Sequence, residues 1–390
     1  MTVDAFTIKN TRVFDPRSLC WTERDLNISD GMFCESPAAS KRTHDFRGLF
    51  ILPGLIDAHA HVFGEASPIL ATNFTWDEEA GLAFTRAEHN CGEFLRHGVT
   101  TIRDLGGFED RCLTLRSQIL TGKIIGPRLL VCGQFITTAR RHDHAFGFIT
   151  EPGDLPRAVE LFAAKQVDWI KIINDPIDFT ADELSNATEI AHGIGRPVAC
   201  HAFSEEATLL ALDAGVDSIE HSPIGWPSVL RHPSARRTQF FPTIVCAVDV
   251  VVEPKNALID DPALIEIYEQ WRSEHNSLLP NARQLGLQIG VGTDAGFPPT
   301  APGESLHREL AALAAVGYSN EEVLAQATYK NAVAIHADGC GVCENGFHAD
   351  FLVLREEPQV TTGFADKIVS VCKGGRSVYG QLIIGQNSPP

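Results

Sequence analysis

No stretch of the chain approaches the roughly 20 consecutive apolar residues that a membrane-spanning helix needs. Positive charge is scarce too: 32 Lys and Arg stand against 50 Asp and Glu in 390 residues, a formal net charge of −18. A field of that sign repels polyanions, so neither nucleic acid nor a membrane surface is expected as a partner. The opening stretch, MTVDAFTIKNTRVFD, lacks the basic and then apolar segments of a secretory signal. The ten cysteines lie singly in apolar runs, as at Cys132, Cys200, Cys246 and Cys372, and form no disulfide frame. Cys340-Gly-Val-Cys343 has redox or zinc spacing, but no second pair or spaced histidines complete a zinc site, and it falls in a Gly-rich turn. These absences point to a cytoplasmic protein with reduced, buried thiols.

What is present is ordinary globular composition, 44% apolar and 21% charged, which excludes disorder or coiled coil for the whole chain. From about residue 50 to 335, short apolar runs alternate with helical patterns. The expected strands are Phe50–Asp57, Val99–Arg103, Arg128–Cys132, Val167–Ile173, Pro197–His201, Asp217–His221, Gln239–Ile244 and Gln288–Thr293. Most are continuously apolar, as befits parallel strands covered on both faces. Thr180-Ala-Asp-Glu183 and Ser319-Asn-Glu-Glu322 have the form of capping boxes. Gly98, Gly195, Gly215 and Gly286 stand where a helix should stop before the next strand. Eight strand-then-helix units predict an α/β fold, a (β/α)8 TIM-type barrel over residues 50–345. Residues 1–49 and 346–390 carry short β runs (Ala5–Ile8, Phe351–Leu354, Ile368–Val371) and are expected to join in one small β-sandwich module. Residues 251–281 read as a loop and then a helix around Ile265–Leu278.

The strongest local signal is Leu52-Pro-Gly-Leu-Ile-Asp-Ala-His59-Ala-His61. Residues i and i+2 of an extended strand share a face, so two imidazoles can converge on one metal. Catalytic groups in such barrels sit at the C-terminal ends of strands. Four more polar residues end apolar strands: Lys171 in VDWIK, His201 in VACH, His221 in SIEH and Asp294 in GVGTD. Gathered at one barrel end, the six would be costly to bury unless a cation compensated them.

In these segments the sequence resembles the amidohydrolase superfamily, and within it the imidazolonepropionase-like and prolidase-like branch. The matching stretches run in family order: LPGLIDAHAHVFG, HGVTTIRDLGG, GPRLLVCGQFIT, VDWIKI, HAFSEEATLLALDAGVDSIEHS, FPTI, GVGTDAG, EVLAQATYKNAVAI and GVCENGFHADFLVL. The resemblance implies a binuclear divalent centre, usually zinc. His59, His61 and Asp294 would hold the more buried ion, and His201 and His221 the more exposed one. Lys171, as a carbamate formed with carbon dioxide, would bridge the two. The implied reaction is hydrolysis of an amide, peptide-like or cyclic amide bond by a metal-bridging hydroxide, with Asp294 moving the proton.

The chain departs from that branch at two loops. After strand 3, where relatives carry a histidine that polarises the substrate carbonyl, the sequence reads Thr137-Thr-Ala-Arg140-Arg141-His142-Asp-His144, and either histidine could serve. After Pro242-Thr on strand 7, dipeptide-cleaving relatives carry a tyrosine; here Cys246 and Ala247 follow instead. Arg103, Arg140 or Arg141 is then expected to grip an anionic group of a small-molecule substrate. The pocket beside Cys246 is expected to be small-walled and apolar. Rival readings are lactone or ester hydrolysis, or decarboxylation, at the same centre, and a non-catalytic scaffold, against which all six ligand positions are filled. Assembly into a homo-oligomer stays open.

Overall fold

The apolar run at residues 50–57 is two strands, and the break at Gly54 organises the molecule. Phe50–Pro53 pairs in parallel with Phe6–Asp15 and antiparallel with Phe351–Leu354, inside a sheet built from both ends of the chain. Leu55–Ala60 turns away to begin the barrel. Only glycine fits at the turn, because a Cβ there would collide with the Thr100 side chain. The expected boundary at residue 50 thus shifts to Gly54, whose N–H donates to Asp350 O at 2.9 Å. The computed structural model describes residues 5–36, 42–64, 80–107, 111–139, 147–175, 177–222, 224–252, 262–297 and 300–381.

Eight parallel strands form the barrel: Leu55–Ala60 (β1), Val99–Asp104 (β2), Arg128–Val131 (β3), Ile170–Ile173 (β4), Val198–His201 (β5), Ser218–Glu220 (β6), Gln239–Phe241 (β7) and Gln288–Ile289 (β8). One ladder joins β1 to β3 and another joins β4 to β8. Hydrogen bonds outside these ladders close both seams. Asp168 N donates to Val131 O at 2.7 Å, and Ala58 N donates to Val291 O at 3.1 Å. Asn331 fastens the second seam, donating to Ile56 O and Val291 O at 2.8 and 2.7 Å and accepting from Val291 N at 3.0 Å. A π-turn, Gln326–Lys330, immediately precedes it.

Both faces of these strands are buried, which is why they read as continuous apolar runs. Leu129, Val131, Ile170, Ile172, Val198 and Cys200 belong to the large core that the surrounding helices share. The alternate positions Leu130, Cys132, Trp169 and Ala199 pack inside the barrel with Ile56, Ala58 and Phe241. Alternation therefore points Lys171 and His201 inward. Both capping boxes form, with side chain and backbone exchanged in each direction. Gly98, Gly195, Gly215 and Gly286 all take positive φ, between 73° and 87°.

The terminal module is an eight-stranded sheet that branches at Phe6–Asp15, where Arg42–Asp45 and Phe50–Pro53 pair along successive stretches. Its two arms share one core, including Phe33, Phe46, Phe351 and Val353. The helix expected at 265–278 is longer, Pro262–Gln284. No helix among the described residues is long and apolar enough to cross a membrane.

Candidate metal centre

The strand ends bring His59, His61, His221 and Asp294 together. His61 Nε2 and His59 Nε2 lie 3.0 and 3.3 Å from the same oxygen, Asp294 Oδ1. Donor atoms of His59, His221 and Asp294 all fall within 4.8 Å of one another, and the three residues are buried. The His201 ring centre is 4.4 Å from that of His221. A register shift between Asp57 and Ala60 in the β1–β2 ladder re-aims the end of β1, where the two motif histidines emerge.

In each of His59, His61 and His221 the Nδ1 side is taken by the protein. His59 Nδ1 meets Glu220 Oε2 at 2.8 Å, His61 Nδ1 meets Gly106 O at 2.7 Å, and His221 Nδ1 meets Thr243 Oγ1 at 2.8 Å. That arrangement fixes ring orientation and leaves Nε2 for a metal. Glu220 is anchored in turn: Arg103 Nη2 and Ser218 Oγ donate to its Oε1 at 2.8 and 2.6 Å. Burial alone would raise the Glu220 carboxyl, but the Arg103 guanidinium and the His59 ring outweigh it and hold the acid well below its usual range.

Arg103, expected to grip substrate, lies elsewhere. Its side chain is 0% exposed. The fork is spent on Ala58 O at 2.6 Å, Ser218 Oγ at 3.0 Å and Glu220. Its guanidinium sits 4.4 and 4.7 Å from the ring centres of Trp169 and Phe241. It is a barrel-interior cation beneath the centre, fully buried and bonded to Ala58, Ser218 and Glu220 rather than turned to a ligand. Arg140, Arg141, His142 and His144 fall outside the described residues.

The donor set suits a cation. Two imidazole nitrogens crowd one carboxylate oxygen, an arrangement that needs either a proton or a metal between them. Burial would lower His61, yet its bond to Asp294 raises it above the usual value. Asp294 is held far below the carboxylate range, because the neighbouring histidines outweigh the burial that would raise it. Lys171 Nζ is buried with no hydrogen-bond partner among the described residues, and burial is the main cause of its lowered pKa. It is close enough to Glu220 and Asp294 for their charge to act on it.

Sequence reasoning missed three supporting carboxylates. Besides Glu220, Asp57 accepts from Thr293 Oγ1 at 2.6 Å and from His59 N at 3.2 Å, tying the HxH segment to the Asp294 loop. Asp104 accepts from Val62 N at 2.8 Å and Gly106 N at 3.0 Å, shaping the loop that receives His61. A charged residue inside an otherwise apolar strand was the available signal for Asp57 and Glu220.

Beside the ligand cluster, Cys246 and Ala247 pack with Trp271, and half-buried Phe203 and Phe297 lie against them. Cys246 Sγ donates to Asp294 Oδ2 at 3.4 Å. The Phe203 ring stands 4.4 Å from that of His201 and 4.7 Å from that of Trp271.

A (β/α)8 barrel whose strand ends gather histidines around a buried aspartate defines a metal-dependent hydrolase that acts on C–N bonds. The chain belongs to the amidohydrolase family, whose model matches residues 50–378. It is 26% identical over 352 residues, 88% of each chain, to an uncharacterised protein of Mycobacterium tuberculosis. It is 24% identical over 382 residues to the ochratoxinase of Aspergillus niger, across 85% of this chain and 76% of that one. A crystal structure of an amidohydrolase superposes with a TM-score of 0.84 at 26% identity, across 97% of this chain and all of the other.

Glu220→Gln keeps the shape but removes the charge that orients His59 and balances Arg103. Affinity for divalent metal, measured by competition with a chromogenic chelator, is expected to fall about 10–100-fold. An unchanged affinity would show that His59 needs no such partner.

Proposed function

We propose that the protein is a binuclear metal-dependent amidohydrolase that cleaves an amide or cyclic amide bond in a small molecule with a bulky, partly apolar acyl part. The convergence of the His59 and His61 Nε2 atoms on Asp294, beside His221 and His201, carries the reading. His59, His61 and Asp294 would hold one cation and His201 and His221 the other, with zinc the best match to the imidazole-rich set. Such ions would supply Lewis acidity toward the scissile carbonyl and acidify a water into the neutral range.

The chain's own residues do the rest. Lys171 is a buried amine in a pocket that disfavours its charged form and favours the neutral amine, the form that adds carbon dioxide. The resulting carbamate would give an anionic, two-oxygen bridge. Asp294 would accept the proton from water and return it to the leaving amine. Its Oδ2, on the Cys246 side, is the oxygen turned away from His59 and His61. Phe203, Phe297 and Trp271 with Cys246 and Ala247 form an apolar wall in place of a strand-7 tyrosine, and this wall is suited to the acyl part of the substrate. A substrate carboxylate would be held by Arg140 and Arg141, with His142 or His144 toward the carbonyl. Proteins named as an ochratoxinase and as a putative prolidase are both similar to the chain, so the choice over plain dipeptides rests on this wall.

Two experiments test the proposal. Lys171→Ala should lose most activity, and short carboxylic acids with added metal should restore part of it; unchanged turnover would remove Lys171 from the centre. The second compares kcat/KM for Xaa-Pro and Xaa-Arg dipeptides, N-aroyl amino acids, cyclic amides and lactones. The expected preference is for aroyl or cyclic amides, weakened for anionic members by Arg140→Ala with Arg141→Ala. Efficiency on the order of 10⁴ M⁻¹s⁻¹ or more confined to dipeptides, or to lactones, would overturn the assignment.

A further inference from the structure

The helix Pro262–Gln284 stands between β7 and β8 and presents Trp271 and His275 to the ends of β6 and β7. Those ends are strained. His221 has φ 73° and Thr243 has φ 48°. Non-glycine residues seldom take such values, β-branched threonine least of all, and they persist there only where the surrounding structure enforces them.

The enforcing contacts are specific. Trp271 Nε1 donates to His221 O at 2.6 Å. His275 Nε2 is 2.9 Å from Pro242 O, the carbonyl just before Thr243. Thr243 Oγ1 in turn meets His221 Nδ1 at 2.8 Å. Trp271 and His275 are four residues apart, on one helical face, and His275 Nδ1 is 2.9 Å from Trp271 O. The Trp271 ring also packs on Phe203, which abuts His201. The helix therefore reaches both His201 and His221. By contrast, His59 and His61 are anchored through Glu220 and Gly106 on the other side.

We infer that Trp271 and His275 are positioning residues for one half of the centre, the half held by His201 and His221, and that they leave the His59 and His61 anchors of the other half untouched. This rests on the two-ion reading above. Trp271→Phe removes the N–H and keeps a ring, His275→Leu removes both ring nitrogens, and His275→Gln restores an N–H at similar reach.

The full-length variants are loaded with zinc and dialysed against a graded chelator series. Metal per chain is counted by mass spectrometry, and thermal midpoints are recorded in zinc-saturated buffer. The parent is expected to hold two ions over most of the series. Trp271→Phe and His275→Leu should release the second ion at about tenfold lower free chelator. They should keep the first ion as the parent does, with midpoints near the parent's, and His275→Gln should regain the second. Retention identical to the parent in both variants overturns the inference. So does joint loss of both ions with a lowered midpoint, the mark of a merely structural role. A parent that takes up no zinc contradicts the two-ion reading itself, a failure separate from either variant result.

Discussion

The candidate centre depends on a charge pair sealed inside the barrel. Arg103 and Glu220 meet at 2.8 Å with both side chains fully buried. Removing one partner of such a pair typically costs about 3–5 kcal/mol, because the other charge is left uncompensated. Arg103 is also held over the faces of Trp169 and Phe241, so its position is set by packing as well as charge. From that fixed cation the order propagates upward: Glu220 is fixed by Arg103 and Ser218, and His59 by Glu220. Orientation at the centre is thus inherited from the apolar layer beneath it.

A second layer of constraint comes from the backbone. His221, Thr243 and Asp294 all take positive φ, at 73°, 48° and 61°. Three non-glycine residues in that region at one barrel end mark a place where geometry outweighs local preference. Each is tied down by named bonds: Asp294 N donates to His59 O at 2.8 Å, and His221 N to Phe241 O at 2.8 Å. The buried Glu309 carboxylate accepts from Ile244 N and Val245 N at 3.1 and 2.9 Å, fixing the start of the helix that carries Cys246. The site is assembled from strand ends whose directions the barrel sets and whose final turns are forced.

Much of this was legible in the sequence, for physical reasons. Polar residues closing apolar strands stand out against the run before them, so Lys171, His201, His221 and Asp294 could be named, and the structure gathers His221 and Asp294 with His59 and His61. Capping boxes and helix-stopping glycines have local causes and behave as local rules require. Gly54 was not legible, because a run of apolar residues does not show which sheet it joins; that depends on Thr100 and Asp350, distant in sequence. Glu220 escaped notice because strand alternation sends neighbours to opposite faces, so an inward His221 implies an outward Glu220. The left-handed turn at His221 breaks that rule. Arg103 was misread for a related reason: a cation at a strand end looks the same in sequence whether it faces a ligand or a buried carboxylate.

The central claim is that the converging side chains hold two divalent ions and that hydrolysis needs them. Quantifying metal per chain by inductively coupled plasma mass spectrometry, alongside activity as metal is stripped and restored, tests it most directly. The account predicts a stoichiometry near two, with activity lost on stripping and regained as the ions return. Full activity in protein that reproducibly carries almost no metal would contradict it.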